Sequence, residues 1–365
     1  MHPEVAVVRL IVGLAGIVLI VAMLWDAFET VVLPRRVSRR LRVAFYIRYV
    51  WRAWVAIAGR IQRRSRREAY LAYFGPLVTL SLLAVWALGL ILGFAMLHWG
   101  LGSQMNAPEP HPGFGTDLYF SGTTFFTLGL GDVVPKSVAA RIALVVEGGV
   151  GFSFLALIIS YLPVIYQAFS RRESHISLLD AWAGSPPSAG ELVRRAGGDR
   201  ALLEPFLREW ERWAADLLES HISYPVLVYF RSQHDNESWL SAMTAVLDAC
   251  ALLIGAVEGA PRRVAELTFA MARHAVVDIS IMFDQPPEPA QPDRLPEGDR
   301  AALMSMLRTN GCRIRDDAEA AARVDELRRM YEPYVNALSR RLAMPLPAWL
   351  GVQGARDNWQ KSRWR

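Results

Sequence analysis

The chain has 365 residues, 53% of them hydrophobic, with a formal net charge of +5 and a mean hydropathy of +0.20. That balance excludes an average water-soluble protein and equally a protein lying wholly inside a bilayer; it predicts a membrane part joined to a water-soluble part. The charge is local: residues 34–75 hold twelve arginines against Glu68 alone, a local +11, which leaves about −6 for the rest of the chain.

Residues 5–24 carry Arg9 as their one charge, and about 20 such residues span a hydrocarbon core. The run is too long for the apolar region of a signal peptide and has no basic start or small-residue cleavage site. It is expected to be a retained helix that continues to Leu33 and stops at Pro34. Asp26 and Glu29 near its end are read as interfacial solvation in preference to a gating role. Residues 41–58 mix Arg42, Arg48 and Arg52 with Phe45, Tyr46, Tyr49, Trp51 and Trp54. Too short and too charged to span, they predict a helix lying in the membrane surface. The arginines do not keep the every-third-residue step of a voltage sensor.

Residues 76–99 form the second predicted span, and residues 100–115 a loop with three prolines and no Lys or Arg. The third span is expected from about 138 to 169. Arginine clusters beside apolar spans mark the cytoplasmic face, so 34–75 and Arg171-Arg172 are placed inside, and 100–137 and the N-terminus outside. A lipid bilayer is the implied surroundings, the inner (plasma) membrane the implied location, and nucleic acid is not an expected partner. Cys250 and Cys312 have no metal-ligand spacing and predict buried free thiols in a reducing compartment.

Between the second and third spans stands Thr127-Leu128-Gly129-Leu130-Gly131-Asp132, after the Thr-rich apolar run 117–126. Two other Gly-x-Gly pairs, at Gly100 and Gly113, lack a Thr two residues earlier and a preceding short helix. The run at 127–132 resembles the selectivity filter of the tetrameric potassium channels, and the resemblance covers about residues 76–169. It implies a filter at Thr127, Leu128, Gly129, Leu130, Gly131 and Asp132. Potassium ions, as permeant ligand rather than cofactor, would be held by oxygens of Thr127, Leu128, Gly129 and Leu130. Gly129 and Gly131 supply backbone angles closed to other residues, and Thr127 can add a hydroxyl. One pore loop is a quarter of a ring, so a homotetramer is implied. Two positions depart from the family pattern: Leu130 replaces the usual Tyr or Phe, which weakens the aromatic cuff but leaves potassium transport implied, since some second pore loops of two-pore-domain potassium channels are similar; and Thr123 stands where some relatives place a carboxylic acid.

The third span carries Glu147, Gly151, Leu155, Ile159 and Pro163 at steps of four. Leu155 and Ile159 are candidates for a cavity wall. Gly151 is read equally as a hinge or a packing site, Pro163 as a bend, and Glu147 as either a functional acid or a neutral group packed behind the filter.

From residue 170 the pattern changes. Two linkers are expected, at 184–190 and 285–298, and helical spacing recurs over 200–219, 238–257, 262–283, 299–307 and 316–342. No strand–helix alternation or Gly-x-Gly-x-x-Gly is present, which argues against a nucleotide-fold regulatory domain. His221, His234, Asp235, Glu237 and His274 show no ligand spacing, and no catalytic motif was found, so no enzyme activity is expected. The expected fold is an all-α membrane protein: a pore-loop bundle plus an all-α cytosolic domain of about six helices. Its parts are 1–75, with the first span and the Arg-rich segment; 76–169, the pore; and 170–365, a regulatory domain binding an unknown cytosolic ligand or partner. The function expected is a potassium channel gated by that domain. The alternatives are a weakly selective cation channel, or a membrane receptor with a vestigial pore.

Overall fold

A computed structural model describes residues 3–31, 42–102, 105–109, 111–289, 292–351 and 357–360, with side chains omitted at Pro3 and 42–46. The expected helix stop at Pro34 and the arginines at 35, 36, 39 and 40 lie outside the described residues. In chain order the elements are α1 (Pro3–Val31), α2 (Arg42–Ala58), α3 (Arg64–Ala72), α4 (Phe74–Gly100), β1 (Met105–Asn106), α5 (Phe114–Phe125), β2 (Val134–Pro135) and α6 (Val138–Ala183). There follow α7 (Ala189–Ala196), α8 (Arg200–Ser223), a 3-10 turn (Pro225–Tyr229), α9 (Trp239–Gly255), α10 (Arg262–Met282), α11 (Glu297–Thr309) and α12 (Ala318–Leu342). The protein is all-α and membrane-embedded: three helical stretches, Glu4–Val31, Arg64–Gly100 and Val138–Ala183, are long and apolar enough to span.

The described residues form two units, Met1–Val50 with Pro76–Tyr166, and Trp51–Gly75 with Gln167–Arg365. In the first, α1 lies against α4 along a seam of small residues. A Cβ on Gly16 would come within 2.6 Å of the Gly93 carbonyl oxygen, so only glycine permits that approach. The opposite side of α1, with Leu10 and Val18, is open, as a lipid-facing surface requires. Asp26 faces protein as well as the interface: the indole N–H of the fully buried Trp86 donates to it at 2.7 Å. Glu29 accepts from Trp25 at 2.8 Å.

In the second unit, α9 is buried along its whole length, with α7, α10 and α12 around it. A helix apolar on all sides belongs in a core, and its 17 residues fall short of a span. At its middle the buried Asp248 accepts from Arg294 and from the Tyr331 hydroxyl, so the buried charge is paired. Both expected linkers differ from the sequence reading. The turn at 184–190 is packed: the Gly190 N–H donates to Trp349 O at 2.9 Å, and a Cβ there would lie 2.8 Å from that oxygen. In the second, Arg294 is held by Asp248 and stacks over the Trp349 ring, and α11 begins at Glu297.

The segment 51–75 also differs from its expected place. Trp51 is 2% exposed, its ring 4.6 Å from Phe74 and 5.0 Å from Tyr229, and its N–H donates to Arg341 O at 2.7 Å. An amphipathic pattern states that one side of a helix is apolar, not whether lipid or protein covers it. Here protein covers Trp51, so Trp51–Gly75 groups with the C-terminal residues rather than with the first span.

His221 is fully buried against Trp239, with its Nδ1 2.7 Å from Leu217 O. Burial, aided by the nearby Arg172 charge, pushes its imidazole down to about 3 from the ordinary 6.5. The folded protein therefore keeps His221 neutral where the unfolded chain takes a proton. Its stabilising contribution is complete above pH 6.5 and drains as pH falls below that value, by up to about 1.4 kcal/mol per pH unit. Denaturant unfolding of wild type and His221→Phe across pH 7 to 4 is expected to show a shallower acid slope in the variant; parallel slopes would refute it.

Candidate functional site

The site is built at the C-terminal end of α5. Three carbonyls there need donors, and the following residues supply them: Phe126 N donates to Gly122 O at 3.1 Å, Thr127 N to Thr124 O at 2.9 Å and Leu128 N to Thr123 O at 2.8 Å. With Phe126 as C-cap, the last two bonds are those of a Schellman motif, whose residue after the cap is left-handed and usually glycine. Here that residue is Thr127, at φ 55°. Gly129 follows at φ 55° and Gly131 at φ 77°, so every second residue from 127 to 131 is left-handed. Such alternation is the backbone condition for successive carbonyls to turn toward one side. The sequence pointed to the two glycines; the left-handed Thr127 was not foreseen. Leu128 and Leu130 are 61% and 64% exposed, so this run stands open in the single chain.

Asp132 closes the run. The Tyr119 hydroxyl, on α5, donates to its Oδ2 at 2.9 Å. Sequence reasoning missed Tyr119, having looked to positions 123 and 130 for a tie behind the expected filter. Thr123 turns its hydroxyl back to Phe120 O at 2.9 Å. Beyond Asp132 the chain is anchored by the antiparallel pairing of β2 with β1 and by packing of Val133 with Met105, Phe120 and Leu144. Tyr119→Phe removes this hydrogen bond and leaves the ring in place. Its expected effect is current that decays faster during sustained opening, read in bilayer recordings; unchanged decay would remove Tyr119 from the site.

The five residues singled out on α6 do not share one environment. Glu147 and Gly151 are buried, whereas Leu155, Ile159 and Pro163 are exposed. A step of four residues drifts about 40° round a helix, so three steps carry the side chain from one face toward another. The helix continues through Pro163 without interruption. A Cβ on Gly151 would lie 2.1 Å from Phe125 O and 2.9 Å from Phe125 C, so Gly151 packs closely against the end of α5. Glu147 Oε2 lies 3.1 Å from His98 Nε2 on α4, and its Oε1 meets the Ser121 hydroxyl on α5.

Among the described residues no group of His, Cys, Asp or Glu could hold a metal ion. His221 is buried in the core, and His274 lies 3.4 Å from Asp278 on the same helix.

Residues 81–167 match the family model Ion_trans_2, described as "Ion channel". A stretch of 186 residues is 27% identical to the "Uncharacterized membrane protein YdjJ" of Bacillus subtilis (strain 168), covering 49% of this chain and 52% of that protein. The chain thus spans about half the length of the curated relative it matches. No solved structure matches it.

Proposed function

We propose, from the premise that residues 81–167 are the pore segment of an ion channel, that four copies of this chain form a potassium-selective channel. The observation that carries the reading is the left-handed alternation at Thr127, Gly129 and Gly131, directly after a short helix and before a tethered Asp132. Backbone oxygens of Thr127, Leu128, Gly129 and Leu130, with the Thr127 hydroxyl, replace the hydration shell of potassium ions. A ring is needed because one chain leaves this run exposed and supplies one quarter of the ligands. Purified protein in planar bilayers, with potassium and sodium on opposite sides, tests it. A reversal potential near the potassium equilibrium value is expected; one near zero would mean a weakly selective cation pore. That second reading is favoured by Leu130 alone, which has no hydroxyl to tie the filter to α5. Absence of any current would leave the receptor reading.

The channel is placed in the plasma membrane, with the arginine-rich segment and the C-terminal unit in the cytoplasm and the N-terminus outside. A cysteine at Ser65 is then unreactive to impermeant reagents added outside. Gating is assigned to the C-terminal unit. The end of α6 is fastened within that unit: Arg172 donates to Leu227 O at 3.0 Å and to Phe230 O at 2.8 Å. A ligand or partner that binds one arrangement of the unit better than another shifts the equilibrium through α6. Arg172→Met keeps the bulk and removes the bonds. Altered open probability in an intact tetramer supports gating, and unchanged open probability with or without cytosolic extract opposes it.

A further inference from the structure

Behind the pore helix lies a fully buried polar cluster inside an otherwise apolar bundle. Glu147 of α6, His98 of α4 and Ser121 of α5 are each 0% exposed. An ionisable group at such a place is expensive, and it persists only where it has partners and a task. The partners can be counted proton by proton. Ser121 has one hydroxyl proton but two oxygen neighbours, Ile91 O at 2.8 Å and Glu147 Oε1. The Ile91 carbonyl can only accept. If both contacts are hydrogen bonds, Ser121 donates to Ile91 O and the other proton must come from Glu147.

The remaining atoms agree. Glu147 Oε2 accepts from His98 Nε2–H at 3.1 Å. His98 Nδ1 is buried without a hydrogen-bond partner among the described residues. In the neutral imidazole that leaves one lone pair unused. In the imidazolium it would leave a buried N–H unsatisfied, a far costlier omission. Asp117, on α5, lies within electrostatic reach of His98 and also of Arg9, on α1.

We propose that Glu147 is a positioning residue for the pore helix and works as a neutral acid, donating its carboxyl proton to Ser121. The inference rests on the channel reading above and deepens it. The donor sequence runs from His98 to Glu147, from Glu147 to Ser121, and from Ser121 to Ile91 O, so it leaves α4, crosses α6 and α5, and returns to α4. One turn along, Gly151 packs on Phe125, so the same two helices meet again at matching i, i+4 positions. Ser121 and Phe125 lead directly into Thr127. A displacement of α6 at Glu147 therefore reaches the start of the filter through two adjacent fastenings.

The test uses the full-length protein in liposomes, with potassium flux and infrared difference spectra read on the same samples. Glutamine reproduces a neutral acid, since its NH2 donates to Ser121 and its oxygen accepts from His98. Glu147→Gln is therefore expected to keep flux within about threefold of wild type, while Glu147→Ala, which leaves the buried His98 Nε2–H unpaired and the Ser121 oxygen without its donor, loses about tenfold or more. The wild-type spectrum minus that of Glu147→Gln should contain the carbonyl stretch of a protonated carboxylic acid, and Ser121→Ala should shift that band. Loss of flux in Glu147→Gln equal to that in Glu147→Ala, with no such band, would overturn the neutral-acid assignment. Full flux in Glu147→Ala would overturn the positioning role. If wild type carries no flux, the channel reading fails, while the infrared band still decides the protonation of Glu147.

Discussion

Gly151→Ala is expected to abolish flux and to destabilise the pore segment, although the change adds one methyl group to a helix. Inside a helix alanine is the better residue by about 1 kcal/mol, so propensity alone predicts the opposite. Packing decides the sign. The methyl carbon would fall 2.1 Å from Phe125 O, a backbone atom held at the end of α5 that cannot rotate away. Either α6 backs off or α5 tilts, at a typical overpacking cost of about 1–3 kcal/mol. Either movement displaces the residue two before Thr127. Gly148 and Gly149 provide the control, because a Cβ at either meets nothing within 4 Å inside the chain. Alanine there should leave the protomer's thermal stability unchanged or slightly raised. If Gly151 were chiefly a hinge, alanine would leave assembly and stability intact and change only open probability. Melting temperature and flux measured on all three variants separate the two roles.

What the sequence discloses depends on how far each interaction reaches along the chain. The left-handed positions at 129 and 131 were legible because their physics is local: a short helix, then glycines at alternating positions, and a terminal aspartate within six residues. The three spans were legible from hydropathy alone, although the helix carrying the third runs past residue 169 to Ala183. Glu147 could be flagged as an ionisable group in an apolar helix, but its partners are 26 and 49 residues away and no periodicity announces them. Tyr119 lies 13 residues before Asp132, across the turn from helix to filter, so it had no local signature. The segment 41–58 shows the complementary limit. Its apolar side was evident, yet lipid and a protein groove present the same chemistry to a tryptophan, and the Arg341 carbonyl that receives the Trp51 N–H is 290 residues distant. The turns at 184–190 and 285–298 were read as linkers from Gly, Ser and Pro content. Those residues equally serve a tight packed turn when a neighbour such as Trp349 fills the space beside it.

Gly129→Ala and Thr127→Gly are expected to act in opposite directions on stability and yet both to damage conduction. At Gly129 the obstacle is the backbone alone, because a Cβ there meets nothing within 4 Å and φ is 55°. An L-residue in that region costs about 1–2 kcal/mol, repeated in each copy of a ring, so the alanine variant relaxes toward negative φ and its peptide plane turns. The protein should still reach the membrane and assemble, since α4, α5 and α6 do not depend on this atom, but potassium flux should vanish. Retained selective current would count decisively against the filter assignment. Thr127 carries the same left-handed geometry with a side chain, at the position where a Schellman motif prefers glycine. Thr127→Gly should therefore relieve about 1 kcal/mol of strain per chain and raise the melting temperature. The hydroxyl goes with it, so on the proposed reading the innermost ion loses a ligand and the preference for potassium over sodium should fall, seen as a shift of the reversal potential toward zero. A residue kept against its own backbone preference is strain held at a working site, and removing it should yield a more stable and less discriminating channel. If Thr127→Gly stabilises the protein without weakening selectivity, Thr127 is a helix cap and nothing more.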